Sequence, residues 1–149
     1  MKINTKARAG FTLTEAIVAL VILSILSAIM VHSFFKYIGK VKEETYIMEA
    51  QSVFRSIEMY TIEKYQGSEI NKVELFEQLT MSAVTSPENP LKEYLTVTCT
   101  KNARIVGMNI RRSTNMLMQL EYQVDGYLIT VTRDGNPIIK KEGDSQLNS

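Results

Sequence analysis

The apolar and polar positions divide the chain into a nearly unbroken apolar segment, an amphipathic segment and an alternating segment. Only one full charge, Glu15, lies between Phe11 and Phe35. As an α-helix, the first 21 residues of this stretch span about 30 Å, close to the thickness of the hydrocarbon core of a bilayer. The pattern therefore predicts a membrane-spanning helix over residues 11–35, preceded by a short basic segment at residues 1–10.

The helical pattern continues beyond the apolar segment. Residues 37–65 contain no proline, and one face repeats every three or four positions. The residues of this face are Tyr46, Ile47, Ala50, Val53, Phe54, Ile57, Tyr60, Thr61 and Lys64, whereas Glu49, Arg55, Glu58 and Glu63 are expected mostly elsewhere. Because the Gly-Ser pair at residues 67–68 favours a helix end, we expect one helix over about residues 11–66. Its residues 36–66 should pack their apolar stripe on a sheet.

Residues 67–149 predict a small globular head. A short helix is expected within residues 68–82, with Asn71 as its N-cap. Alternation further along predicts an antiparallel sheet of about four or five strands. The expected strands are residues 94–100, 104–110, 115–124, 127–132 and 137–141, with turns at residues 101–102, 125–126 and 133–136. A long helix packed on such a sheet is an α+β fold.

The strand predicted over residues 115–124 has the clearest alternation. Leu117 breaks the polar side of this strand, and the Asp125-Gly126 pair after it is a strong signal for a two-residue hairpin turn. The predicted apolar face consists of Met116, Met118, Leu120, Tyr122 and Val124.

The single cysteine, Cys99, lies in the strand predicted over residues 94–100. It can form no disulfide within the chain, so the stability of the head must come from packing. No histidine or second cysteine lies nearby in the sequence, and we expect a buried structural thiol rather than a reactive one.

Charge and residue types narrow the classes of function. The chain has 17 basic and 16 acidic residues, and 14 basic and 16 acidic ones remain without residues 1–10, which does not indicate a nucleic-acid binder. An alternative is that four basic residues contact DNA phosphates: Lys101, Arg104, Arg111 and Arg112. We favour the interpretation that these residues belong to a solvated turn.

One histidine and one cysteine cannot form a metal site alone, and no phosphate-binding loop or nucleophile motif occurs. We predict a protein that is not an enzyme and uses no cofactor.

Glu15 is the feature that simple interpretations of residues 1–35 leave unexplained. The apolar run is too long for a typical secretory signal peptide, and no Ala-x-Ala-like cleavage site follows it. A plain signal anchor fits the length but gives no role to a carboxylate within the span. Thr12-x-x-Glu15 is a capping-box pattern, in which the two residues satisfy backbone N–H groups at a helix start. The pattern predicts a helix that begins at about residues 11–13, directly after Gly10.

From Lys6 to Glu15 the sequence is Lys-Ala-Arg-Ala-Gly-Phe-Thr-Leu-Thr-Glu, followed by the aliphatic run. This motif resembles the class III signal of type IV pilins and type II secretion pseudopilins. The resemblance implies that a prepilin peptidase cleaves between Gly10 and Phe11 and removes residues 1–10 as a leader. It also implies N-methylation of the new Phe11 amine and a role for Glu15 in assembly.

The same resemblance implies partners and a location. The precursor would be a single-pass protein of the cytoplasmic (inner) membrane, and the mature chain would join other pilin subunits in an extracellular filament or pseudopilus. An assembly platform and its ATPase would act on it indirectly. The predicted function is a structural filament subunit. The alternatives are a minor or tip subunit that binds a surface, DNA or secretion cargo, and a signal-anchored enzyme, which would not be trimmed.

A physical argument links the predicted cleavage to Glu15. Cleavage would give Phe11 a positive amine, one helical turn from Glu15 on the same face. A carboxylate in an apolar medium either takes up a proton or pairs with a cation. In a filament, Glu15 of an incoming subunit is expected to pair with the Phe11 amine of its neighbour, which would set the axial register.

The far end of the span departs from the common family pattern. Many members have a Gly and a Pro within the span, whereas this chain has Ser24 and Ser27 there, with His32 near its end. The serine hydroxyls are expected to bond to carbonyls one turn earlier. His32 is expected at the membrane interface, close to aromatic residues.

Overall fold

The structure is a computed structural model. It describes residues 11–65, 70–111 and 113–143. The chain forms two compact units, with the boundary between Val41 and Lys42.

A single α-helix, α1 (Leu13–Tyr65), contributes residues to both units. Its start lies within two residues of the predicted one, so the helix predicted over residues 11–66 is confirmed. Gln66 and the predicted stop at residues 67–68 lie outside the described residues. No proline falls within α1, and its ladder of backbone hydrogen bonds is therefore not interrupted by a missing donor.

In the first unit, α1 presents apolar side chains on all sides. The large apolar residues of residues 11–35 are each between 52% and 80% exposed. By length and composition, α1 has a stretch near the N-terminus that is long and apolar enough to cross a membrane. Such a surface requires lipid or other helices around it.

Two serines of this segment, Ser24 and Ser27, bond to the helix itself. Ser24 Oγ donates to the Val21 carbonyl and Ser27 Oγ donates to the Leu23 carbonyl, each at 2.7 Å. The expected bonding to the preceding turn is confirmed. These polar side chains are thus satisfied within the helix, and α1 continues past them.

The second unit contains a four-stranded antiparallel sheet whose strands are adjacent in chain order. The strands are β1 (Arg104–Ile110), β2 (Leu117–Val124), β3 (Tyr127–Thr132) and β4 (Ile138–Lys141). A short helix, α2 (Lys72–Thr80), follows the predicted cap Asn71, whose Oδ1 accepts from the Glu74 N–H. A 3₁₀ helix spans Pro90–Tyr94. The predicted α+β fold, with a long helix and an antiparallel sheet, is confirmed.

One hydrophobic core joins the second half of α1, α2 and the sheet. Leu75 and Leu79 of α2, Ile57 of α1 and Leu120 of β2 are completely buried, and each such side chain stabilises the fold by about 1.5–3 kcal/mol. The other α1 members are Tyr46, Ala50, Val53, Phe54 and Tyr60, and the other sheet members are Ile105, Ile110, Leu117, Tyr122, Val124, Ile129 and Val131. The predicted stripe on α1 is thus largely correct.

The β2–β3 hairpin turns at the predicted Asp125-Gly126 pair. Asp125 has a φ of 46° and Gly126 a φ of 76°, and positive φ at both central residues is what a type I′ turn requires. Tyr46 on α1 donates its hydroxyl hydrogen to Asp125 Oδ2 at 2.8 Å. Burial together with this bond raises the pKa of Tyr46 to about 12.

The predicted apolar face of β2 is wrong at its start. The pairing of β1 with β2 skips Met118, because Ile110 pairs with Leu117 and the preceding residue of β1 pairs with Gln119. The extra residue is a β-bulge, which shifts the side-chain alternation by one position. Leu117 is therefore buried, whereas Met116 is 46% exposed. The rest of the predicted face, Leu120, Tyr122 and Val124, is buried.

Residues 94–100 do not form the predicted strand. Polar side chains of α1 bond to this segment instead. The pairs are Ser56 Oγ with the Tyr94 carbonyl, Ser52 Oγ with Thr96 Oγ1, and Glu49 Oε2 with the Thr100 N–H, each at 2.9 Å. The prediction fails because alternation alone does not supply a neighbouring strand, and side chains of α1 satisfy backbone groups here. The burial predicted for Cys99 is confirmed, since it is 6% exposed.

Glu49 is a buried carboxylate, 4% exposed, and its placement outside the stripe was therefore wrong. It accepts hydrogen bonds from the N–H and hydroxyl of Thr100, each at 2.9 Å, and from the Tyr122 hydroxyl at 3.0 Å. Burial raises the pKa of Tyr122, so the hydroxyl keeps the proton that it donates. Because its oxygens are hydrogen-bonded, the carboxylate is tolerated in the core.

Replacing Glu49 should destabilise the head strongly. Glu49→Ala leaves the donors of Thr100 and Tyr122 without an acceptor, and we expect the free energy of unfolding to fall by about 3 kcal/mol or more. Glu44→Ala, at an exposed position of α1, should change it by less than about 0.5 kcal/mol. Urea unfolding of the full chain in detergent, followed by tyrosine fluorescence, measures both. Equal effects of the two variants would contradict the role given to Glu49.

Candidate functional site

The start of α1 is closed by a reciprocal pair of hydrogen bonds. Thr12 precedes the first helical residue, and its carbonyl accepts the Ala16 N–H at 3.1 Å. The Thr12 N–H donates to Glu15 Oε2 at 2.9 Å, and the Glu15 N–H donates to Thr12 Oγ1 at 3.3 Å. These are the two bonds of a capping box, and the predicted capping pattern is confirmed.

Thr12 also binds the Glu15 carboxylate directly. Its hydroxyl donates to Glu15 Oε2 at 2.7 Å, so the N–H and the hydroxyl of Thr12 end on the same oxygen. Glu15 Oε1 accepts no hydrogen bond from the residues that the structure describes. The sequence pattern predicts a capping role for Thr12, but it does not predict this direct bond between the two side chains.

Of the predicted site residues, the structure describes Phe11 and Glu15. Phe11 lies just before the cap and is 80% exposed, and Glu15 is also exposed. Gly10, and with it the predicted scissile bond, lies outside the described residues. The structure thus brings Thr12 and Glu15 together and leaves the assignments for cleavage, methylation and assembly as predictions.

The single cysteine of the chain is buried in the second unit. Burial raises the pKa of the Cys99 thiol, which suits a structural thiol rather than a nucleophile. Across the described ranges 11–65, 70–111 and 113–143, no three His, Cys, Asp or Glu side chains gather in a way that could hold a metal ion.

The basic residues considered for DNA binding do not form one cluster. Lys101 lies in the turn before β1, Arg104 is the first residue of β1, and Arg111 directly follows its end. The seven residues of β1 place Arg104 and Arg111 about 20 Å apart. Arg112 lies outside the described residues.

A surface groove of about 700 Å³ lies between the end of α1 and the start of β2. Its apolar lining includes Ile62, Tyr65 and Met116, and an ion pair between Glu58 and Arg133 borders it. The carboxylate of this groove is thus already paired with a guanidinium group. The groove offers contact surface rather than an acid–base pair.

Comparison with known proteins gives one match. Residues 5–31 match the family model described as the prokaryotic N-terminal methylation motif. No curated protein and no solved structure matches the chain. The matched residues cover residues 5–10 of the basic segment, the Thr12–Glu15 cap and most of the exposed apolar helix. The chain therefore carries a type IV prepilin-like signal and an α+β fold, and both findings support the resemblance to the type IV pilins and pseudopilins.

Proposed function

We propose that the chain is a structural subunit of a type IV pilus or pseudopilus filament. It is trimmed between Gly10 and Phe11, methylated at the Phe11 amine and assembled through α1. The observation that carries this proposal is the capped apolar helix within the matched motif, whose large apolar side chains are all exposed. A surface of this kind is satisfied by lipid in the precursor and by other copies of the same helix in a filament.

The proposal assigns a task to each part of the chain. Residues 1–10 are the leader, residues 11–35 cross the cytoplasmic membrane and later form the filament core, and residues 36–66 continue the helix. Residues 67–149 are the head. A prepilin peptidase processes the precursor, and the assembly platform with its ATPase moves the mature subunit from the membrane into the extracellular filament.

The hydrogen bonds of Glu15 support a two-step role in assembly. In the free subunit, Thr12 satisfies one carboxylate oxygen, which lowers the penalty of holding the group in lipid. The second oxygen remains available for the Phe11 amine of a neighbouring subunit. A subunit that enters in the wrong register leaves this charge buried without a partner, which is unfavourable.

A minor subunit at the filament tip is the second candidate. The apolar groove beside Ile62, Tyr65 and Met116 favours this candidate. Such a groove is a contact site for a tip ligand, which would be a surface, DNA or secretion cargo. The abundance of the chain in purified filaments separates the two candidates. A major subunit dominates the preparation, whereas a tip subunit is scarce.

Replacing Gly10 should block maturation. Gly10→Val places a branched side chain at the proposed scissile bond, and we expect the uncut precursor to accumulate in the membrane. Intact-mass measurement of the membrane-extracted protein checks this, because the wild-type chain should begin at a methylated Phe11. A wild-type chain that begins at Met1, or normal trimming of the variant, would contradict the proposed cleavage site.

Replacing Glu15 should separate trimming from assembly. Glu15→Ala and Glu15→Gln should both be trimmed, yet filament yield after shearing should fall roughly tenfold or more, because neither side chain pairs with the Phe11 amine. Glu15→Gln retains an oxygen that can cap the helix, so it isolates the effect of charge. Glu93→Gln, at an exposed position of the head, is the control. Wild-type yield from Glu15→Gln would contradict the pairing.

A further inference from the structure

The two lateral edges of the sheet are different. At the β1 edge, the Val84 N–H donates to the Ala103 carbonyl at 2.9 Å, and Lys72 Nζ donates to the Ile110 carbonyl. These bonds hold α2 and the residues after it beside β1. At the opposite edge, β4 pairs with β3 alone among the strands that the structure describes. One edge of the sheet is thus covered by α2 and the residues after it, whereas the other edge is formed by β4.

The outward face of α2 combines apolar and acidic side chains. Val73 is 68% exposed and Met81 is 85% exposed. Glu77 lies midway between them, also exposed. Met81 is the C-cap residue directly after α2 and keeps helical backbone angles. Because the three positions are four residues apart, they lie on one side of the helix and its cap, along about 12 Å of the axis. We call Val73, Glu77 and Met81 the helix patch.

The open edge at β4 combines an apolar and two basic side chains. Ile138 is 55% exposed, and Lys140 and Lys141 are exposed. Ile138 and Lys140 lie on one face of β4, and Lys141, at the end of the strand, lies on the other face. Together the three residues extend over about 10 Å along the edge, a length close to that of the helix patch. We call Ile138, Lys140 and Lys141 the strand patch. Among the described residues, neither its lysines nor Glu77 takes part in an ion pair.

We infer that the helix patch of one subunit contacts the strand patch of the next copy of this chain. The apolar ends of the helix patch provide a surface for Ile138, and Glu77 provides the opposite charge for Lys140 and Lys141. Charges of opposite sign on two surfaces of similar length favour this pairing over contact between identical patches, where like charges would meet. The inference rests on the proposed function as a filament subunit.

This contact joins two different surfaces, so it is heterologous. Hydrogen bonds hold α2 beside β1, whereas β4 is the opposite edge of the sheet. Each subunit that uses its strand patch therefore still has its helix patch free. Contacts of this kind continue from copy to copy and form open arrays, whereas a two-fold dimer buries the same patch on both partners. The geometry of the head therefore suits repeated addition of subunits.

The contact should form only between assembled subunits. Exposed ion pairs are weak, and each patch contains only three residues. When the N-terminal helices hold neighbouring subunits together, the second contact becomes effectively intramolecular and gains from a high local concentration. The two patches therefore align the heads after the helices have associated.

Disulfide cross-linking tests the contact directly. The chain has a single cysteine, and that residue, Cys99, is buried, so introduced cysteines report their own contacts. A chain carrying both Val73→Cys and Ile138→Cys should give a ladder of dimers, trimers and larger species when filaments are oxidised. A mixture of two chains, each with one of these substitutions, should give dimers only. Val106→Cys with Ile138→Cys is the control pair, since Val106 is exposed on β1 outside both patches, and it should give no ladder.

Charge reversal provides a second measurement. Glu77→Lys and Lys140→Glu should each lower the yield of sheared filaments several-fold, and the two together should restore it. Glu93→Lys reverses an exposed charge outside both patches and should leave the yield unchanged. Urea unfolding of each variant checks that the head remains folded.

The cross-linking and charge-reversal experiments lead to one of three conclusions. A ladder from the paired cysteines, with rescue by the double charge reversal, supports the contact. Abundant filaments without a ladder, or cross-linked dimers from Val73→Cys alone, would overturn it while leaving the proposed function intact. A wild-type chain that is trimmed but forms no filaments would overturn the proposed function and this contact with it.

Discussion

The carboxylate of Glu49 is the group on which the head most depends. It lies on α1 among apolar neighbours and receives its hydrogen bonds from Thr100 and from Tyr122 of β2. A buried acceptor is stable only if its donors stay in place. Helix, sheet and the irregular segment between them are therefore fixed by one group, and a shift of α1 along the sheet would break all of its bonds together.

The parts of the fold that depend on local spacing could be predicted from the sequence. Helix α1, strands β1 and β3 and the Asp125-Gly126 turn follow from periodicity and turn chemistry, and the Thr12–Glu15 cap lies within one helical turn. The charge of Glu49 predicts a position outside the apolar stripe of α1, although its spacing of three residues after Tyr46 places it within the stripe. The partners that make its burial tolerable are about 50 and 70 residues away in the sequence, and spacing within one element does not reveal them.

The remaining errors have the same origin. Residues 94–100 alternate like a strand, but α1 provides the hydrogen-bonding partners that a neighbouring strand would supply. The bulge at Met118 depends on the pairing of two strands rather than on either one alone. The opposite edges formed by α2 and β4 likewise follow from strand order, which the sequence does not state. The helix start could be predicted because its chemistry is local, whereas the surfaces of the head required the structure.

The burial of Cys99 has a consequence for how the protein matures. The contacts between distant parts of the head are non-covalent, because the chain has a single cysteine, and its thiol lies in the core beside Tyr122 and Glu49. The head therefore needs no thiol oxidant and no disulfide isomerase to reach its fold. It can reach its fold in a reducing or an oxidising environment, and reductants should leave it intact.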